Sequence, residues 1–141
     1  MKFLALPLLC CTLAFASCHT TKKTAAAGND KTDCRLVMCT RMFASAGLHV
    51  IDATGSPVRL DDAYTVRIST GEVIRYEKSG AGQGQYIVID DSYLKMLSNK
   101  TDQFQFIGMK DDRQVVQETF TISADCCHVK KDEGRDEVTV K

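Results

Sequence analysis

The 141-residue chain contains no tryptophan, and aromatic residues make up 7% of it. That scarcity leaves little from which to build a stacking platform for sugar rings. It also lacks an excess of charge of either sign: 18 basic residues face 18 acidic ones. Binding a phosphate backbone requires a concentrated positive surface, so nucleic acid is not an expected partner. The two basic doublets, Lys22-Lys23 and Lys130-Lys131, read as solvated lysines. No apolar run reaches the roughly 20 residues that a membrane-crossing helix needs. There is no βαβ repeat, which argues against a parallel nucleotide-binding sheet.

Catalytic signatures are missing as well. No Gly-x-Ser-x-Gly run offers a nucleophile, and the histidines His19, His49 and His128 are scattered. The doublets Asp61-Asp62, Asp90-Asp91 and Asp111-Asp112 do not follow the D-x-D-x-D-G spacing of a calcium loop. They read as loop-end aspartates that cap turns. The glycine-rich stretch Ser79–Gln85 is not followed by Lys-Ser/Thr or by a helix, so it does not suit phosphate. It reads as a mobile hairpin tip and hence as a binding surface. No catalytic residue, cofactor or metal ligand is expected, and the chain reads as non-enzymatic.

What the sequence does contain begins at its start, MKFLALPLLCCTLAFASC. Lys2 precedes an apolar run from Phe3 to Phe15, and the small residues Ala16 and Ser17 stand directly before Cys18. This is the layout of an exported chain, and the small-small-Cys ending is that of a bacterial lipoprotein signal. Residues 1–17 are expected to be removed and Cys18 to receive lipid. The rival reading is an ordinary cleaved secretory signal with an incidental Cys18. Removing 17 of 141 residues leaves 124, enough for one domain. Residues 18–33 contain no large apolar side chain and read as a flexible tether, with a β-domain over residues 34–141.

Four cysteines follow Cys18: Cys34, Cys39, Cys126 and Cys127. An even number in an exported chain reads first as disulfides, because that compartment is oxidising. The alternative is a thiol-redox or metal site using Cys126, Cys127 and His128, with Cys34 or Cys39 completing the set. Zinc sites usually space paired cysteines by two to four residues, whereas these are adjacent. If residues 34–39 were fully extended, their α-carbons would lie about 16 Å apart. Two bridges to an adjacent pair could span only about 17 Å, so either the chain bends after Cys34 or one bridge forms. At least one bridge is expected from Cys39, closing a loop of about 90 residues worth about 4 kcal/mol, with His128 a bystander. Its partner among Cys126 and Cys127 is left open.

From Cys34 onward, short β-rich runs alternate with turn chemistry. Strands are expected over Leu36–Ala44, Leu48–Asp52, Tyr64–Ser69, Val73–Tyr76, Tyr86–Asp90, Gln103–Met109, Val115–Ala124 and Glu137–Lys141. One short helix is expected at Tyr93–Leu97, capped by Asp91 or Ser92. The pattern implies an all-β fold, an antiparallel two-sheet Greek-key sandwich of seven or eight strands.

The segment His49–Ile68 resembles the opening of carboxypeptidase-regulatory-like modules with the prealbumin (transthyretin-like) fold, a relative of the Ig-like sandwiches. The matching positions are Val50, Asp52, Gly55, Pro57 and Val58. Asp52 would accept hydrogen bonds from turn amides, Gly55 would take positive φ and Pro57 would set φ on the way out. The run Phe120–Val129, with the preceding DDSYLKML, is similar to small uncharacterised lipoproteins of Bacteroides-type bacteria. The resemblance implies fold and compartment: a lipid-anchored envelope module, in the outer membrane. One enzymatic branch of that fold relies on a Tyr-Arg-Gly-Ser tail, whereas this chain ends Glu-Val-Thr-Val-Lys, so its activity is not carried over. Expected partners are the membrane, through the lipid on Cys18, and an envelope protein or glycan met by loop tips near residues 78–85.

Overall fold

A computed structural model describes residues 33–76 and 83–141. The apolar leader, Cys18, nearly all of the tether and most of the 78–85 loop lie outside the described residues. Eight strands run in chain order: β1 (Ser45–Ile51), β2 (Asp62–Arg67), β3 (Val73–Ile74), β4 (Gln85–Asp90), β5 (Thr101–Lys110), β6 (Arg113–Ala124), β7 (Val129–Glu133) and β8 (Glu137–Thr139). They form a three-stranded sheet ordered β4-β1-β8 and a five-stranded sheet ordered β3-β2-β5-β6-β7. This is the expected all-β sandwich. Its pairings are antiparallel except that β1 and β8 run parallel, so the smaller sheet is mixed.

Period-two patterning builds the core. Along β1 the buried residues are Ala46, Leu48 and Val50, and along β6 they are Val116, Phe120, Ile122 and Ala124. Phe104 and Phe106 of β5 join Phe120 in full burial. Each such ring contributes roughly 2–3 kcal/mol on leaving water. Gly134 lies over the Phe120 ring, where an added Cβ would sit 2.3 Å from Cδ1. The segment between the Gly-Pro turn and β2 is tied down by Tyr86, whose hydroxyl accepts from the Leu60 amide and donates to the Val58 carbonyl.

The turns follow local chemistry. As expected for this turn, Asp52 Oδ1 accepts from the amides of Thr54 and Ser56 and Gly55 has φ of 83°; Pro57 bridges back to Ile51. The Thr54 hydroxyl also donates to Oδ1, and it, followed by those amides, holds the Asp52 carboxyl below the ordinary range. The β5–β6 hairpin closes between Lys110 and Arg113, with both Asp111 and Asp112 at positive φ, the geometry that matches strand twist.

Three expectations need correction. Leu36–Ala44 is not a strand: Cys34–Leu36 is a 3-10 turn and residues 37–44 enter neither sheet. Val129–Glu133 is a strand, though its charged sequence VKKDE lacks alternation. The helix is a 3-10 turn over Asp91–Tyr93 continued by α1 (Leu94–Leu97), and its cap is Asp90, which accepts from the Ser92 amide. Asp91 is occupied elsewhere.

Candidate functional site

Residues 33–44 form a strap that crosses one end of the sandwich before β1 begins. The Asp33 carboxylate accepts from the Arg35 amide and grips its guanidinium, which tightens the 3-10 turn that brings Cys34 round. Opposite the strap lies the β6–β7 connection, Asp125 to His128, closed by the Ala124–Val129 pair. Asp125 Oδ1 accepts from the amides of Cys127 (2.7 Å) and His128 (2.8 Å). Those two bonds hold its carboxyl below the ordinary aspartate range.

The two pieces are joined twice, by Cys34–Cys126 and Cys39–Cys127, with α-carbon separations of 5.1 and 5.3 Å. Both bridges form because neither cysteine pair is extended. The 3-10 turn shortens the path from Cys34 to Cys39, and the adjacent cysteines sit in a tight turn where strand alternation does not separate them. Cys39 bonds to the DCCH segment as expected, and Cys34 takes the remaining partner. Each adjacent cysteine is bound to a different strap residue, so there is no vicinal bridge. With these four sulfurs paired, none of them is a free thiolate that could bind a metal in this state. Among the described residues no three His, Cys, Asp or Glu side chains are grouped to hold one.

His128 is not a bystander. Its Nδ1 lies 2.8 Å from Asp91 Oδ2, and its Nε2 lies 3.1 Å from Thr40 Oγ1 on the strap. Asp91 also accepts from the amides of Ala44 (2.7 Å) and Val129 (2.8 Å), so it gathers the strap, the hairpin and the start of the helix at one carboxylate. Burial pushes this carboxyl up. The Ala44 amide, the His128 ring and the Val129 amide outweigh it and leave the group below its ordinary value.

Thr40, His128 and Asp91 have the connectivity of nucleophile, base and orienting acid. Acyl transfer also needs free N–H donors aimed at a developing oxyanion. Here the amides of Cys127 and His128 are taken by Asp125, and those of Ala44 and Val129 by Asp91. What these bonds do is link the strap, the hairpin and the start of the helix, so the arrangement acts as a fastening. Sequence reasoning missed Thr40 and the hub role of Asp91, since their partners lie 88 and 37 positions away.

Two further features accompany the fastening. A groove of about 410 Å³ is lined by residues including Gly47, His49, Gln85, Ile87 and Asp136. His49 there contacts Glu137 Oε2 and the Gln83 carbonyl at the close of the glycine-rich loop. The strap itself carries large apolar side chains in the open, Met38 and Phe43 among them. Comparison with family models, with curated proteins and with solved structures finds no match to this chain.

Proposed function

We propose that this chain is a lipid-anchored module of a bacterial cell envelope, in the outer membrane, with a non-enzymatic binding or structural role. The observation that carries the reading is the pair of disulfides, Cys34–Cys126 and Cys39–Cys127, which persist in an oxidising compartment. It fits the apolar leader and the Ala16-Ser17-Cys18 ending, which supply export and a thiol for lipid. The Asp52–Pro57 turn supports the prealbumin-like resemblance, having the bonding that the resemblance implied. The partner is an envelope protein or glycan, met at the loop end that carries the Asp52–Pro57 turn and the β5–β6 hairpin. The groove beside His49 and Gln83 extends that surface. The thiol-redox alternative has less behind it, because both bridges tie separate segments together as structural links do.

Mass spectrometry of the N-terminal peptide from native membranes tests this. The expected peptide begins at Cys18 and carries acyl chains, and Cys18→Ala abolishes them. An unmodified Cys18, or a chain starting elsewhere, overturns the anchor.

A further inference from the structure

The strap exposes a run of large apolar side chains. Leu36 is 86% exposed, Met38 98%, Met42 76%, Phe43 68% and Val37 39%. The other exposed large apolar residues among those described are Ile68 and Val73, so five of seven lie on this one strap. A concentration of this kind marks a binding surface. Cys34, Cys39 and Thr40 engage the β6–β7 hairpin, and the intervening and following apolar side chains are left outside.

Charge follows a related division. The strap carries Arg35 and Arg41 against Asp33, a net of +1, with Arg35 paired to Asp33, and the tether before it, residues 18–32, adds Lys22, Lys23 and Lys31 against Asp30, a net of +2. From 45 to 141 it has 12 basic and 16 acidic residues, a net of −4. Basic residues interleaved with exposed Leu, Met and Phe suit an anionic lipid surface. A second copy would bring the same net-positive tether and strap against the first, which disfavours self-pairing through this face.

We infer that the strap docks on the surface of an anionic phospholipid bilayer, with Leu36, Met38, Met42 and Phe43 entering the interfacial layer. The placement rests on the lipid-anchor reading above. Cys34 follows Cys18 by 16 positions, a reach of at most about 55 Å. The strap is thus the first part of the fold that the anchor brings to the membrane. Docking it fixes which end of the sandwich faces the lipid. β1 leaves the strap end at Ser45 and reaches the Asp52–Pro57 turn at the other, so that turn and the β5–β6 hairpin point away.

The test uses the unacylated mature chain, residues 18–141 with Cys18→Ser, exported behind a foreign signal so that its disulfides form. It is floated with vesicles of phosphatidylethanolamine and phosphatidylglycerol. The oxidised chain is expected to float with the vesicles, and Met38→Glu with Phe43→Glu to lower the bound fraction about tenfold or more. Vesicles of phosphatidylcholine alone should retain less of it. A chain that stays in solution with anionic vesicles overturns docking, as does a double variant that floats like its parent. A dimer in lipid-free light scattering that the double variant abolishes also overturns it, in favour of self-association. Because this chain carries no acyl group, its flotation is read separately from the fate of Cys18.

Discussion

The strap and the sandwich are ordered by opposite means. The sandwich has a continuous apolar interior in which Phe104, Phe106 and Phe120 are fully buried, and its strands are tied by backbone ladders. The strap buries none of its large apolar residues and pairs with no strand. It is held by two disulfides, by Thr40 on His128 and by the Ala44 amide on Asp91. Covalent and polar fastening thus does at the strap what burial does in the core. The consequence is that the strap's apolar side chains remain available to something outside the fold.

The largest effect comes from cutting the fastening. In the chain-entropy model the first bridge, closing some 90 residues, is worth about 4 kcal/mol. With one bridge in place, the other closes a ring of only about eight residues and adds about 2 kcal/mol. Cys34→Ser or Cys39→Ser alone should therefore cost about 2 kcal/mol, and both together about 6 kcal/mol, by denaturant unfolding of the oxidised protein. Two single losses that sum to the double would show that the bridges do not share one loop. They would also weaken the view of the strap as a single fastened unit.

The same contrast governs what could be read from the sequence. Strands that bury one face, β1 and β6, announce themselves by alternation, and the Asp52–Pro57 turn by residue type. Leu36–Ala44 misled because its apolar residues resemble those of a strand while serving a surface. β7 was hidden for the opposite reason. It is the last strand of its sheet and buries only Val129 within VKKDE, and edge strands carry charge to resist pairing. The disulfide partners were bounded by reach but not fixed, because the bends at Cys34–Leu36 and Asp125–His128 depend on side-chain bonds from Asp33 and Asp125. Asp91 looked like a helix cap beside Asp90. Its role exists only once segments far apart in the chain have met.

A smaller effect is expected at that carboxylate. Asp91→Asn leaves the Ala44 and Val129 amides with a single carbonyl oxygen between them, at a cost of about 2 kcal/mol. Asp91 is held below its ordinary value of 3.8 in the folded protein. Its contribution is therefore full above that value and is lost as pH falls through the lower folded-state value. The stability gap between parent and Asp91→Asn should be constant near neutrality and close on acidification below about pH 4, followed by circular dichroism. A gap that widens in acid has the wrong sign and would remove Asp91 from the fastening.

The smallest effect is the one that most sharpens the contrast. Met38 and Phe43 are 98% and 68% exposed, so the folded protein gains little from their apolar surface. Replacing each with Glu should change unfolding stability by no more than about 0.5 kcal/mol, the usual range for surface sites. A buried ring such as Phe120, by comparison, should cost about 4 kcal/mol when cut to Ala. The result is informative because the strap is anchored on both sides of Met38, at Cys34 and Cys39, and Phe43 is followed at once by the Asp91-bound Ala44. Glutamate at either site should leave both disulfides intact by non-reducing peptide mapping. If the double variant instead melts several degrees lower, these side chains contribute to the fold itself. Any loss of vesicle binding by that variant would then reflect a loosened strap and not the removal of its apolar face.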